Sequence, residues 1–102
     1  MSPSKLTVRL LSVAEEDLAE AITFIAADNP AAAQALADKM EKSLAALARH
    51  PAMGMVPADP DLMQLGYRYL IIENYLVFYV VETRAVIIHR ILHGARNYRD
   101  LF

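Results

Sequence analysis

The 102-residue sequence contains no cysteine, and this absence removes several classes of chemistry. Disulfide bonds, zinc–thiolate sites and cysteine nucleophiles are all excluded, which is compatible with a reducing compartment. No apolar run approaches the roughly 20 residues that a membrane-spanning helix needs. The first five residues, Met1 to Lys5, lack the apolar core of a signal peptide. We therefore expect a soluble, cytoplasmic protein with no membrane partner.

Lysine is scarce and confined to the first half of the chain, at Lys5, Lys39 and Lys42. Residues 1–65 hold five Lys/Arg and nine Asp/Glu, a net charge of −4, whereas residues 66–102 hold five Arg and three Asp/Glu, a net charge of +2. Because guanidinium groups make forked contacts to carboxylates and phosphates, the second part suits an acidic or phosphate-bearing partner. Scattered, solvated arginines explain a charge of only +2 equally well.

The length and the hydrophobic content predict one domain that has a partner. A chain of 102 residues is one domain by length, covering residues 1–102. Hydrophobic residues make up 56% of it, more than is usual for soluble domains, and many of them are alanine. The excess indicates a surface that a partner covers.

The amino-terminal part reads as a strand followed by a helix. Leu6–Leu11 is rich in residues that favour strands. Ser12 and Glu15 have the spacing of a capping box, in which each side chain accepts from the backbone of the other. The acidic side chains of residues 15–17 would occupy the first turn, where the helix dipole favours negative charge. The spacing of apolar residues then predicts a helix over Val13–Ala27.

A second helix follows after a very short connection. Asn29 is a good N-cap, and Pro30 stands at the first helical position, which tolerates proline. Apolar residues at helical spacing predict a helix over Pro30–Arg49, which ends before Pro51. The next segment, residues 52–65, shows no sustained period and is predicted to be a loop.

The carboxy-terminal part contains three runs of aromatic and β-branched residues: Tyr67–Ile72, Tyr75–Val81 and Ala85–Leu92. The gaps at Glu73-Asn74 and Thr83-Arg84 are so short that they can only join antiparallel neighbours. The predicted fold is therefore α+β, with an N-terminal strand, a two-helix hairpin, a three-stranded antiparallel meander and a short C-terminal tail. The helices cover one sheet face, and the other is predicted to be open or lightly covered and to serve as an interaction surface.

Arg90 and His89 are charged or polar residues within the third run, and strand alternation places them on opposite faces. One of the two must then lie on the helix-covered side or near its edge. An arginine there needs a carboxylate, and Glu73 and Glu82 at the neighbouring strand ends are the candidates. We predict a structural role for Arg90 and a packing role for His89. A four-residue step on a strand separates His89 from His93 by about 13 Å, so no metal site is predicted.

Four segments stand in a particular order along the chain. They are Asp28-Asn29-Pro30, His50 to Gly54, Gly66-Tyr67-Arg68 followed by Asn74 to Tyr79, and Arg90 to Asn97. Together, over Lys5 to Phe102, they resemble the ParE/RelE family of bacterial type II toxins. The most specific of the four segments, Arg90 to Asn97, is similar to the last strand of that family. The resemblance implies a toxin that a cognate antitoxin wraps, and contact with operator DNA only through that antitoxin.

The resemblance implies two different targets, and the strand residues favour one of them. RelE-type members cut messenger RNA in the ribosome, whereas ParE-type members act on DNA gyrase and are not ribonucleases. RelE-type strands often carry lysines and an arginine, but here the first meander strand has only Arg68 and the second has Leu76 in the arginine position. We expect a ParE-like gyrase inhibitor, which is not an enzyme. The alternatives are a RelE-like ribosome-dependent mRNA endoribonuclease and a non-toxic co-repressor partner of an antitoxin.

The candidate site residues depend on which target is correct. For a ribonuclease they are Arg68, His93, Arg96 and Tyr98, since a histidine suits proton transfer and arginines suit a developing phosphorane. In the reading that we favour, His93 ends a strand and the arginines bind antitoxin carboxylates. The candidates for binding the target or the antitoxin are Arg68, Tyr75, Tyr79, Arg90, His93, Arg96, Tyr98 and Arg99. No cofactor is expected.

Overall fold

The computed structural model describes residues 6–94, and its elements follow the predicted order with one addition. They are strand β1 (Thr7–Leu10), helices α1 (Ser12–Asp28), α2 (Pro30–Arg49) and α3 (Pro60–Gln64), and strands β2 (Arg68–Ile72), β3 (Tyr75–Val81) and β4 (Ala85–His93). The predicted α+β class is confirmed. The tail that contains Arg96, Tyr98 and Arg99 lies outside the described residues.

The starts of the two long helices show which local signals the fold uses. The side chain of Asn29 accepts a hydrogen bond from the backbone N–H of Ala32 at 3.0 Å, and Pro30 is the first residue of α2, as predicted. The predicted capping box is wrong. Ser12 is already the first helical residue, Leu11 is the N-cap, and no side chain caps α1. The backbone N–H of Leu11 instead donates to the carbonyl of Ile88 in the sheet.

The addition is α3, which lies within the segment predicted to be a loop. The side chain of Asp59 accepts from the backbone N–H groups of Asp61 and Leu62 at 2.9 and 3.2 Å and so caps this short helix. Leu62 is buried against Phe78 and Leu92. The second sheet face is therefore partly covered by α3, which agrees with the prediction of an open or lightly covered face.

The four strands form one sheet in the order β1-β4-β3-β2. The meander β2-β3-β4 is antiparallel, as predicted, and β1 pairs in parallel with β4. The register shifts between Phe78 and Tyr79, which lie opposite Arg90 and Ile88 respectively. β4 therefore holds His89 as an extra residue, a β-bulge that changes which side chains share a face.

The main core lies between the helix hairpin and one face of the sheet. Its buried members are Ala14, Leu36, Met40, Leu47, Ile72, Val77, Tyr79, Val86, Ile88 and Ile91. The bulge explains why Ile88 and Ile91, three residues apart on one strand, both belong to it. Strict alternation would place them on opposite faces. Leu92, by contrast, packs in the small cluster under α3.

Candidate functional site

A forked ion pair joins α1 to β4. Arg90 Nε and Nη2 donate to Asp17 Oδ2 and Oδ1 at 2.8 and 2.9 Å, and the two side chains are only 17% and 13% exposed. The backbone N–H of Ile91 also donates to Asp17 Oδ2 at 3.0 Å. Hydrogen bonding to this carboxylate raises the pKa of Arg90, so the guanidinium stays charged. The prediction that Glu73 or Glu82 pairs with Arg90 is wrong.

The register of β1 explains why the partner comes from α1. β1 pairs with β4 only as far as Leu10 and Ile88, and β4 runs on for five more residues. α1 begins two residues after β1 ends, so its second turn passes beside this continuation of β4. The carboxylate of Asp17 therefore binds a backbone N–H of β4 beyond the end of β1. The sequence indicates only a favourable interaction of Asp17 with the helix dipole. No local pattern predicts its contact with Arg90 and Ile91.

A groove lies beside this ion pair, between α1 and the end of the sheet where β3 begins and β4 ends. It has a volume of about 420 Å³ and is lined by Asp17, Glu20, Ala21 and Phe24 of α1 and by Tyr75, Ile91 and His93 of the sheet. We call it the α1–β4 groove. The rings of Tyr75 and His93 meet edge to face with centroids 5.5 Å apart. Phe24 is 77% exposed.

Two other candidate residues, Arg68 and Tyr79, hold the loop that follows α2. The hydroxyl of Tyr79, which is fully buried, donates to the carbonyl of Pro51 at 2.7 Å and accepts from the N–H of Gly54 at 2.9 Å. Burial raises the pKa of this hydroxyl. Arg68 Nη1 donates to the carbonyls of Gly54 and Ala52 at 3.0 and 3.3 Å. The structure thus gives both side chains a structural role.

The described ribonuclease candidates, Arg68 and His93, do not converge. Arg68 pairs with Tyr79 and His93 pairs with Tyr75, so the two lie four residues apart along β3 and on opposite sides of it. Strand geometry then separates their Cα atoms by about 16 Å. Tyr75, Arg90 and His93, in contrast, all lie at or beside the α1–β4 groove. Arg96, Tyr98 and Arg99 lie outside the described residues.

His89 occupies the bulge in β4 and has a polar partner that the sequence did not indicate. Its Nδ1 lies 2.9 Å from the hydroxyl of Tyr67, and the two rings meet edge to face at 5.0 Å. Burial lowers the pKa of His89, and the charge of Glu82 opposes this effect less strongly. The neutral imidazole accepts from the Tyr67 hydroxyl or donates to it, depending on which ring nitrogen carries the proton. The pairing depends on the bulge, which no local pattern predicts.

Residues 6–94 contain neither a metal-binding cluster nor a membrane-spanning helix. No group of three or more His, Asp and Glu side chains in this range is placed to hold a metal ion. None of the helices in the same range is long and apolar enough to cross a membrane.

Comparisons with known proteins agree with this architecture. Residues 8–98 match the family model described as the ParE toxin of the type II toxin–antitoxin system parDE. A chain of the chromosomal ParDE system from P. aeruginosa superposes with a TM-score of 0.72 at 17% identity, covering 87% of this chain and 96% of that one. A chain of the RelBE2 complex from Mycobacterium tuberculosis gives 0.63 at 23% identity, covering 93% and 98%. No curated protein sequence matches. The chain belongs to the ParE toxin family of type II toxin–antitoxin systems.

Proposed function

We propose that the chain is a ParE-like toxin that binds DNA gyrase in the bacterial cytoplasm and is neutralised by a cognate antitoxin. One observation carries the choice of target: the described sheet does not gather cations around one point. Arg68 is bound to two loop carbonyls, and Leu76 packs against the apolar cluster under α3. Cleavage of RNA needs proton-transfer groups and cations around one phosphate, whereas target binding needs neither.

Two observations support an antitoxin as partner. Two similar solved structures come from a ParDE system and from a RelBE2 toxin–antitoxin complex. The described surface also carries exposed large hydrophobic side chains, among them Phe24, Met53, Met55, Val56 and Ile71. Exposed apolar side chains that are grouped, as Met53, Met55 and Val56 are in one loop, are typical of a surface that a partner covers. The toxin would reach operator DNA only through that antitoxin.

The test compares two readouts after expression of the chain is induced in bacteria. We expect growth arrest, inhibited DNA supercoiling and intact messenger RNA, and we expect co-expression of the adjacent open reading frame to restore growth. Purified chain should inhibit gyrase-catalysed supercoiling of a relaxed plasmid. Cuts within codons of messenger RNA, with gyrase unaffected, would contradict the proposal. His93→Gln serves as the control variant if messenger RNA is cleaved. A ribonuclease that uses this exposed imidazole would lose the cleavage in the variant.

A further inference from the structure

The α1–β4 groove has the size and lining of a site for one large side chain. Its volume of about 420 Å³ falls in the range of ligand pockets. The apolar part of its lining consists of Ala21, Phe24, Tyr75 and Ile91, and the small side chain of Ala21 leaves room between the helix and the sheet. From this and the charges described below, we infer that the groove docks an antitoxin segment that carries one large apolar side chain and a nearby lysine or arginine.

This inference rests on the proposed antitoxin, and Phe24 is its first support. At 77% exposure, Phe24 is the most exposed of the large hydrophobic side chains in the described part of the chain. An aromatic side chain at the rim of an apolar groove is a typical anchor point of a protein interface, because its burial removes a large apolar area from water. Nothing in the packing of α1 requires an aromatic ring at this exposed position.

The charges around the groove specify the second feature of the partner. Asp17 is neutralised by Arg90, but Glu20 is exposed at the rim, and Glu16 lies one turn before it on the same helix. Neither Glu16 nor Glu20 forms an ion pair within residues 6–94. Like charges at this spacing repel each other on a helix. A lysine or arginine of the bound segment would lie beside both carboxylates and remove that repulsion.

A second copy of the chain is the less suitable occupant. A symmetric contact through the groove would bring the same surface from both copies together. Glu16 and Glu20 of one copy would then face the same two carboxylates of the other, and the repulsion would increase. A separate polypeptide with a cation beside an apolar side chain matches both the apolar lining of the groove and the carboxylates at its rim.

The first experiment measures the dissociation constant for the protein encoded by the open reading frame beside this gene. We expect Phe24→Ala and Glu20→Lys each to weaken binding by about tenfold or more. The matched controls are Leu65→Ala, since Leu65 is 68% exposed, and Glu41→Lys on the exposed face of α2; both should bind within about twofold of the unaltered chain. All four positions are exposed, so thermal unfolding should change little.

The outcomes separate the inference from the proposed function. If the unaltered chain binds the neighbouring protein and both groove variants bind equally well, the docking inference is overturned and the proposed function stands. If the unaltered chain does not bind at all, the proposed function fails and the inference fails with it. A loss of affinity in the groove variants alone supports both.

A second measurement locates the contact directly, because the chain has no cysteine of its own. Phe24→Cys and Leu65→Cys each introduce one thiol, whose alkylation rate is measured with and without the neighbouring protein. We expect the complex to slow alkylation at position 24 at least about tenfold and to leave position 65 nearly unchanged. Equal rates at position 24 with and without the partner would overturn the inference. Protection at position 24 that grows with the concentration of the chain alone would show a second copy in the groove and would overturn it too.

Discussion

Asp17 and Arg90, which are 73 residues apart in the sequence, are joined by two hydrogen bonds that fasten α1 to β4. We expect Asp17→Asn to lower the free energy of unfolding by about 2–3 kcal/mol, because it leaves a mostly buried guanidinium without its counter-charge. Urea denaturation measures the effect. Glu16→Gln is the control, since Glu16 is exposed on the same helix. Its cost should stay below about 0.5 kcal/mol, and equal losses in both variants would refute this role for Asp17.

Gly54 approaches Tyr79 so closely that no larger residue fits without movement. A Cβ atom on Gly54 would lie 2.5 Å from the hydroxyl oxygen of Tyr79 and 2.9 Å from the carbonyl oxygen of Tyr69. We therefore expect Gly54→Ala to lower the free energy of unfolding by about 2–4 kcal/mol, through displacement of the loop and loss of its hydrogen bonds to Tyr79. Chemical denaturation followed by circular dichroism gives the value.

A double-mutant cycle tests whether the Tyr79 hydroxyl is the cause. Tyr79→Phe alone should cost about 1–3 kcal/mol, because the N–H of Gly54 and the carbonyl of Pro51 both lose a partner. The double variant Gly54→Ala/Tyr79→Phe should cost less than the two single changes together by about 1 kcal/mol, since the closest clash is removed. Simple additivity would mean that the loop is displaced for another reason.

His89 should make stability depend on pH in a predictable direction. Burial lowers its pKa below the ordinary value of about 6.5 that applies in the unfolded chain. As the pH falls below about 6.5, the unfolded chain therefore takes up a proton before the folded chain does. The stabilisation is present above this pH and is lost as the pH falls from there through the folded-state pKa. Protonation also places a proton on both ring nitrogens, so that Nδ1 can only donate to the Tyr67 hydroxyl.

The measurement is the free energy of unfolding at several pH values between 7.5 and 5, which bracket the unfolded-state value. We expect His89→Gln to reduce the slope with pH relative to the unaltered chain. A slope that His89→Gln does not alter would show that this histidine does not contribute to the pH dependence.

Leu62 is the buried residue through which α3 packs on the sheet. It is 5% exposed and packs against Phe78 and Leu92, whereas its neighbour Met63 is half exposed. Leu62→Ala should lower the free energy of unfolding by about 2–4 kcal/mol, as is usual for the truncation of a buried leucine. Met63→Ala should cost less than about 0.5 kcal/mol. If both cost the same small amount, α3 does not stabilise the second face of the sheet.

The sequence predicted best the elements whose signals are local. α2 has the predicted bounds, because Asn29 caps it and Pro30 suits its first turn. Asp59-Pro60 repeats that arrangement and marks the start of α3, yet five residues are too few to show a helical period. The capping box predicted at Ser12 does not form, because the register of β1 with β4 sets where α1 begins. The helix begins at Ser12 itself, one residue earlier than a box with Ser12 as N-cap requires.

The candidate site could be predicted less well, because it depends on the bulge in β4. Strand alternation correctly assigns the residues of β4 to the two sheet faces as far as Ile88. The extra residue His89 then exchanges the faces of the positions that follow it. The partner of Arg90 is on α1, beside the part of β4 that extends beyond β1, and the groove next to it joins Phe24 to Tyr75 and His93. These contacts connect residues some 50 to 70 positions apart, beyond the range of any sequence period.

The pairing of β1 with β4 has a consequence for how the protein is made. Thr7 lies opposite Ala85, 78 positions later, so the first strand has no partner until the last one has been synthesised. Such a long closure is entropically slow to form, and domains generally fold as complete units during translation. The growing chain therefore cannot complete its four-stranded sheet, or any surface that depends on the pairing of β1 with β4, before Ala85–His93 has left the ribosome.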